Sequence, residues 1–86
     1  MNITLQLFGR FREFADGPEL RLELPGVTTA AEFRAAFDAW ARTHWPDAAT
    51  ALLQASAIAT ETTLLHARSP LPADGRLALL PPVSGG

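Results

Sequence analysis

The chain contains no cysteine and no lysine. Without cysteine it cannot form a disulfide, use a thiol as a nucleophile or bind a metal through thiolates. All seven basic side chains are arginines, and they are spread from Arg10 to Arg76 without a cluster. Because nucleic-acid binding requires a basic face that meets the phosphates, we expect no nucleic-acid partner.

Long apolar segments are also missing. No apolar run approaches the roughly 20 residues that a membrane-spanning helix needs, so we expect no membrane partner. Residues 1–4 lack the basic start and apolar stretch of a signal peptide, which predicts a cytoplasmic protein. The 86 residues, of which 48% are apolar, suit one small domain with its own core.

Residues equipped for catalysis are few. None of the three serines (Ser56, Ser69 and Ser84) lies in the glycine-flanked turn of a hydrolase nucleophile. The two histidines cannot supply the three ligands of a catalytic zinc site. We predict a packed or helix-terminal His44 and a surface His66. The sequence therefore predicts neither a metal site nor a catalytic centre within the chain itself.

Two alternating apolar patterns near the N-terminus predict a β-hairpin. The first covers residues 3–7 and ends at Gly9, and the second covers 20–24 and ends at 25–26. A turn or short helical segment is predicted between them, over 10–15. Because the two strands are close in sequence, we expect them to pair antiparallel.

A capping box predicts the start of the main helix. Thr29 is followed three residues later by Glu32, a pair whose side chains satisfy the exposed amides of a helix N-terminus. Pro46 ends this helix, and a second short helix is predicted over 47–54. Aromatic residues at spacings of four, three and four predict one apolar stripe facing the sheet: Phe33, Phe37, Trp40 and His44.

Three further strands follow the helices. Apolar stretches bounded by turn residues predict them over 55–60, 63–67 and 76–80. The resulting order, β-β-α-β-β-β, predicts an α+β domain over residues 1–80, with one main helix packed across a sheet of about five strands. Residues 81–86 then form an extended, flexible C-terminal tail.

The sequence closes with Pro81-Pro82-Val83-Ser84-Gly85-Gly86. The prolines favour an extended chain, and the paired glycines carry no side chain that would prevent entry into a narrow pocket. Six extended residues reach about 20 Å, enough to present a carboxylate inside a partner's active site. Because the chain has no lysine, the activated carboxylate could acylate only one amine of its own chain, the N-terminal amine. A frayed or appended terminus is the alternative interpretation.

Three apolar residues fall out of phase with the predicted core. The strand periods place Phe8, Leu64 and Leu80 on the outer face or at the rim of the sheet. An exposed apolar patch usually marks a partner-binding surface. Small side cores and singly exposed apolar residues are also common, so the phase leaves both interpretations open.

Three segments resemble one known family: LFGRFREFAD, SPLPADGRLALL and LLPPVSGG. They are similar to the MoaD-type small subunit of molybdopterin synthase, within the ubiquitin-like β-grasp sulfur carriers (MoaD/ThiS). The resemblance runs the whole length, is strongest at both ends, and implies a β-grasp fold with a mixed sheet. Two positions depart from the family, since the turn at 59–62 lacks an asparagine and Leu79-Leu80 replaces an aromatic pair.

The resemblance also implies a function. An activating enzyme would adenylate the carboxylate of Gly86 with ATP, and a sulfur donor would convert it to a thiocarboxylate. The tail would then deliver the sulfur to precursor Z, a cyclic pyranopterin monophosphate, inside the large subunit of an α2β2 molybdopterin synthase. The chain would be the non-catalytic subunit and hold no cofactor. Phe8, Leu64 and Leu80 match positions with which the family docks its partners, and Arg12 and Glu13 match family positions whose role is left open.

Other functions share parts of this pattern. A sulfur carrier for thiamin synthesis, cysteine synthesis or tRNA thiolation would use the same tail chemistry. A ubiquitin-like modifier would instead attach its tail to lysines of other proteins, and a plain interaction module would have an inert tail. Sulfur uptake at Gly86 separates the carriers from the rest, and binding to a molybdopterin synthase large subunit selects among the pathways.

Overall fold

One five-stranded sheet forms the centre of the computed structural model, which describes residues 1–15 and 17–82. The sheet has the order β2-β1-β5-β3-β4. β1 and β5 run parallel, and the other neighbouring strands run antiparallel, so the sheet is mixed. The strands span β1 (Asn2–Leu7), β2 (Glu19–Glu23), β3 (Ala57–Ala59), β4 (Leu64–Leu65) and β5 (Arg76–Leu80).

Two α-helices and a short 3-10 helix connect the strands. The main helix, α1, spans Ala30–His44, α2 spans Ala48–Gln54, and the 3-10 helix spans Gly9–Phe14. The 3-10 helix lies where a turn or helical segment was predicted, and the second short helix is confirmed. Among the described residues, no helix is long and apolar enough to cross a membrane.

The predicted capping box is present at the start of α1. The hydroxyl of Thr29 accepts a hydrogen bond from the amide of Glu32, whose carboxylate accepts one from the amide of Thr29. The same carboxylate accepts bonds from the hydroxyl and the amide of Thr28, at 2.7 and 2.8 Å. These hydrogen bonds lower the pKa of Glu32, and the bond from the Thr28 hydroxyl has the largest effect. Because they favour the charged form, the capping box weakens as the pH falls through that lowered pKa.

The core lies between α1 and the inner face of the sheet. Trp45, which caps the C-terminus of α1, is buried there, and its ring centroid lies 6.2 Å from that of Phe11 and 5.3 Å from that of Phe37. The predicted inward phase of β1 and β5 is confirmed. The largest fully buried side chains come from the strands, the 3-10 helix and α1: Ile3, Leu5, Leu7, Phe11, Phe33, Phe37 and Leu79.

The buried face of α1 differs from the predicted stripe. Phe33 and Phe37 are buried as expected, but Trp40 is half-buried and His44 is exposed. Steps of four residues lead from Phe33 and Phe37 to Ala41 and on to Trp45, and these are the positions that face the sheet. His44 is the last residue of α1, as one of the two interpretations predicted, and its ring stacks on Trp40 at a centroid distance of 4.3 Å.

β3 and β4 are shorter than predicted. The turn between them lies at 61–62 as predicted, and the amide of Thr60 donates to the carbonyl of Thr63 at 2.8 Å across it. β4 pairs with β3 alone, at the edge of the sheet, over two residues. His66 therefore lies beyond β4 rather than on it, although it is exposed as predicted.

Candidate functional site

The predicted tail begins at the end of β5, in the middle of the sheet. β5 is flanked by β1 and β3 and ends at Leu80. Pro81 is half-buried and Pro82 is exposed. The remaining tail residues and the carboxylate predicted to carry the chemistry lie outside the described residues: Val83, Ser84, Gly85 and Gly86.

The strand register places the three predicted patch residues on the outer face of the sheet, opposite α1. Leu80 pairs with Ala57, and Leu64 pairs with Ala59. Phe8 continues β1 in an extended conformation, and one further step of the β1–β5 register sets it beside Leu80. Phe8 and Leu64 are 36% and 62% exposed, whereas Leu80 is half-buried.

Alanines fill the space between these larger side chains. Ala59 pairs with Leu64 on one side and with Ala78 on the other, and Ala57 lies beside Leu80. Their small side chains leave a shallow apolar floor. The sequence analysis did not single out these alanines, although by strand alternation they face the same side of the sheet as Leu64 and Leu80. We refer to the surface formed by Phe8, Ala57, Ala59, Leu64, Ala78 and Leu80 as the outer patch.

Arg12 supports one end of the outer patch. Its Nε donates a hydrogen bond of 2.9 Å to the carbonyl of Leu7, and its guanidinium carbon lies 5.7 Å from the centroid of the Phe8 ring. This arrangement holds a cation over the aromatic face. In this structure Arg12 is therefore hydrogen-bonded to the end of β1 and lies over Phe8. Glu13 is exposed, and none of the contacts above involves it.

The border of the outer patch is polar. A shallow hollow on the same face is lined by side chains from β1, β5 and the turn after β3: Thr4, Gln6, Thr60, Glu61 and Arg76. An apolar centre with a polar, solvent-exposed rim is typical of a protein-binding surface. The outer patch therefore has the composition expected of a docking site for another protein.

The described part of the chain offers little for catalysis. Within it, no group of three or more His, Cys, Asp or Glu side chains is placed to hold a metal ion. It buries no polar or charged side chain, and so lacks the usual setting of a strongly perturbed catalytic group.

A model of the ThiS family matches residues 5–86, nearly the whole chain. This chain belongs to the ThiS family. The family is the group of ubiquitin-like sulfur carriers that the three segments of the sequence resemble. The ThiS-family chain is also 45% identical to the molybdopterin synthase sulfur carrier subunit of Synechococcus elongatus over 87 residues, which cover 98% of this chain and 96% of that protein.

The ubiquitin-like fold of this ThiS-family protein is confirmed by a solved structure. The crystal structure of SAMP1 from Haloferax volcanii is similar to it with a TM-score of 0.63, and the similarity covers both chains in full. The two sequences are 22% identical, so the likeness concerns the fold alone.

Proposed function

We propose that this ThiS-family protein carries sulfur on the carboxylate of Gly86 and serves as the small, non-catalytic subunit of a molybdopterin synthase in the cytoplasm. The observation that carries the proposal is the position of the tail. β5 ends at Leu80 within the outer patch, and the two prolines continue from there toward the glycine pair. A partner that binds the outer patch therefore receives the tail at its own surface. The name and full-length similarity of the Synechococcus elongatus relative support the choice of pathway.

Activation of the carboxylate is the first chemical step of the proposal. A carboxylate is a poor electrophile, so one oxygen of Gly86 attacks the α-phosphorus of ATP on an activating enzyme, and pyrophosphate leaves. A sulfur donor at the oxidation level of sulfide then displaces AMP from the acyl-adenylate and leaves a thiocarboxylate. Gly85 keeps the neck of the tail narrow, because it has no side chain to obstruct a tight pocket.

Transfer of the sulfur completes the proposed cycle. The loaded tail enters the active site of the large subunit, where its sulfur bonds to a carbon of precursor Z and water cleaves the acyl–sulfur bond, which returns Gly86 to a carboxylate. Two such transfers complete the dithiolene of molybdopterin. The catalytic residues belong to the large subunit, and the two kinds of subunit form an α2β2 heterotetramer. The carrier itself holds no cofactor, because ATP is consumed on the activating enzyme.

Intact-mass measurement tests the proposed chemistry. The purified protein is incubated with ATP, a MoaD/ThiS-type activating enzyme and a sulfide source, and its mass should change by the exchange of one oxygen for sulfur. Fragmentation should locate the change at Gly86, and the sample without ATP should stay unmodified. An unchanged mass, with an enzyme that loads another carrier under the same conditions, would falsify the sulfur-carrier function.

Binding to a molybdopterin synthase large subunit tests the proposed pathway. The loaded carrier should form a complex with that subunit and convert precursor Z to molybdopterin. Loading without complex formation would assign the protein to another sulfur-transfer pathway. Attachment of Gly86 to lysines of other proteins, found by mass spectrometry, would identify a modifier instead.

Replacement of Leu64 by glutamate is expected to weaken binding of the large subunit about tenfold or more, because a charge would then be buried in an apolar contact. The fold should persist, since 62% of the Leu64 side chain is exposed. Calorimetric titration measures the affinity, and thermal unfolding checks the fold. Ala39→Glu adds the same charge at an exposed position of α1, on the other side of the sheet, and should bind normally. Equal affinity in the two variants would rule the outer patch out as the docking surface.

A further inference from the structure

Gly9 contacts the first residue of the tail. It adopts a φ of +58° in the left-handed region and directs the chain from β1 into the 3-10 helix. A Cβ atom built on Gly9 would lie 2.9 Å from Cγ of Pro81. Carbon atoms in van der Waals contact lie about 3.5 to 4 Å apart, so the proline ring already occupies the space that a side chain would need.

This contact follows from the parallel pairing of β1 with β5. Leu7 pairs with Leu79, so two further steps along both strands set Gly9 beside Pro81. On one side, the 3-10 helix after Gly9 is anchored by Phe11, which is fully buried. On the other side, the ring of Pro81 fixes its own φ near about −65°. A glycine in the left-handed region and a proline with a fixed φ therefore meet where the tail begins.

Three other glycines of the described residues have a positive φ, and they differ from Gly9 in their surroundings. Gly17 and Gly26 would each direct a Cβ into open space. Gly75 would direct one into the backbone of Asn2, at the opposite end of the sheet from the tail. Gly26, with a φ of +81°, thus shares with Gly9 a positive φ that disfavours other residues, but a Cβ at Gly26 would have no atom within 4 Å.

We propose that Gly9 is a positioning residue for sulfur transfer, because its missing side chain lets Pro81 pack against the turn after β1 and sets the direction in which the tail leaves the sheet. This inference rests on the proposed function, since only a tail that must reach a partner's active site needs a set direction. A side chain at position 9 would displace the proline ring and turn the tail relative to the outer patch. A displacement of a reacting group by about 1 Å lowers rates by as much as about a hundredfold.

A pair of alanine variants tests the role of Gly9. Gly9→Ala and Gly26→Ala both place alanine in the left-handed region, so both should lower the melting temperature, and Gly9→Ala should lower it more because its methyl group also displaces the Pro81 ring. Adenylation of Gly86 by the activating enzyme is followed as ATP–pyrophosphate exchange. Its kcat should fall about tenfold or more in Gly9→Ala and stay near the wild-type value in Gly26→Ala. KM should change little in either, because the outer patch is intact.

Removal of the proline ring should cancel the effect of the added methyl group. Pro81→Ala eliminates Cγ, and the Cβ that remains would lie 3.8 Å from a Cβ at position 9, an ordinary contact. The double variant Gly9→Ala/Pro81→Ala should therefore adenylate at the rate of Pro81→Ala alone, a non-additive result expected of residues in contact. Equal kcat values for the two glycine variants, or strictly additive losses in the double variant, would overturn the proposal.

A measurement without any partner separates this inference from the proposed function. A nuclear Overhauser cross-peak between the Gly9 Hα and Pro81 Hγ protons should appear in the wild-type protein and be lost in Gly9→Ala. Its absence in the wild type would overturn the proposed contact whatever the sulfur chemistry. If the cross-peak is present but the wild type is never adenylated, the contact stands and the proposed function fails.

Discussion

Deletion of Gly86 is expected to abolish sulfur uptake while leaving the melting temperature of the domain unchanged. In the proposed function the sulfur is bonded to the carbonyl carbon of this residue. A tail that ends at Gly85 would hold its carboxylate about 3.5 Å short of the reacting position, and displacements of about 1 Å already cost up to about a hundredfold in rate. The buried core residues of the described part lie between Ile3 and Leu79, and the deletion removes none of them. Intact mass after loading and circular dichroism during heating measure the two quantities.

A second tail variant controls for this deletion. Ser84→Ala changes the composition of the tail but keeps its length and both glycines, so it should take up sulfur at nearly the wild-type rate. Sulfur uptake by the deletion variant would place the reacting atom elsewhere in the chain. A large drop in the melting temperature would show that the last glycine contributes to the stability of the fold.

Replacement of Phe37 by alanine is expected to lower the free energy of unfolding by about 3 to 5 kcal/mol, the usual cost of removing a buried phenylalanine ring. Its ring stacks on those of Phe33 and Trp40 at centroid distances of 5.5 and 5.6 Å and meets Trp45 edge-on at 5.3 Å. A domain of this size has a total stability of about 4 to 13 kcal/mol. The variant should therefore lose about a quarter or more of the stability of the domain, as the midpoint of urea denaturation would show.

Two further substitutions separate packing from general disturbance of α1. Phe37→Leu keeps most of the buried volume and should cost clearly less than Phe37→Ala. Trp40→Ala removes a larger ring, but that ring is half-buried, so the loss should also be smaller. If Trp40→Ala were the more destabilising of the two alanine variants, the buried face of α1 would have to follow the predicted stripe through Trp40.

Local patterns predicted most of the fold because they reflect local physics. The alternation over 3–7, the apolar stretch over 76–80 and the capping box at Thr29 each depend on residues a few positions apart, and all three are confirmed. The exposure of His44 at the end of α1 was not predicted. The spacing of apolar residues alone does not show whether the buried face continues from Phe37 through Trp40 or through Ala41. β4 is shorter than predicted because its length depends on how far it pairs with β3, and its own sequence does not show where that pairing ends.

Of the residues in the outer patch, the sequence predicted only the large ones. Strand phase alone indicated that Phe8, Leu64 and Leu80 point away from the core, and the register places them on the outer face. The contact of Gly9 with Pro81 joins residues far apart in sequence. It can be predicted only when β1 and β5 are known to be parallel neighbours, and no short-range sequence pattern shows that pairing.

The central position of β5 also determines how the domain withstands mechanical force. A pull on the chain beyond Leu80 acts along β5, which is hydrogen-bonded to β1 on one side and to β3 on the other. The backbone hydrogen bonds of both ladders are then loaded together in shear, rather than broken one after another as in the peeling of an edge strand. If a partner enzyme grips the tail as proposed, we expect the two folded proteins to separate without unravelling of the domain that bears the tail.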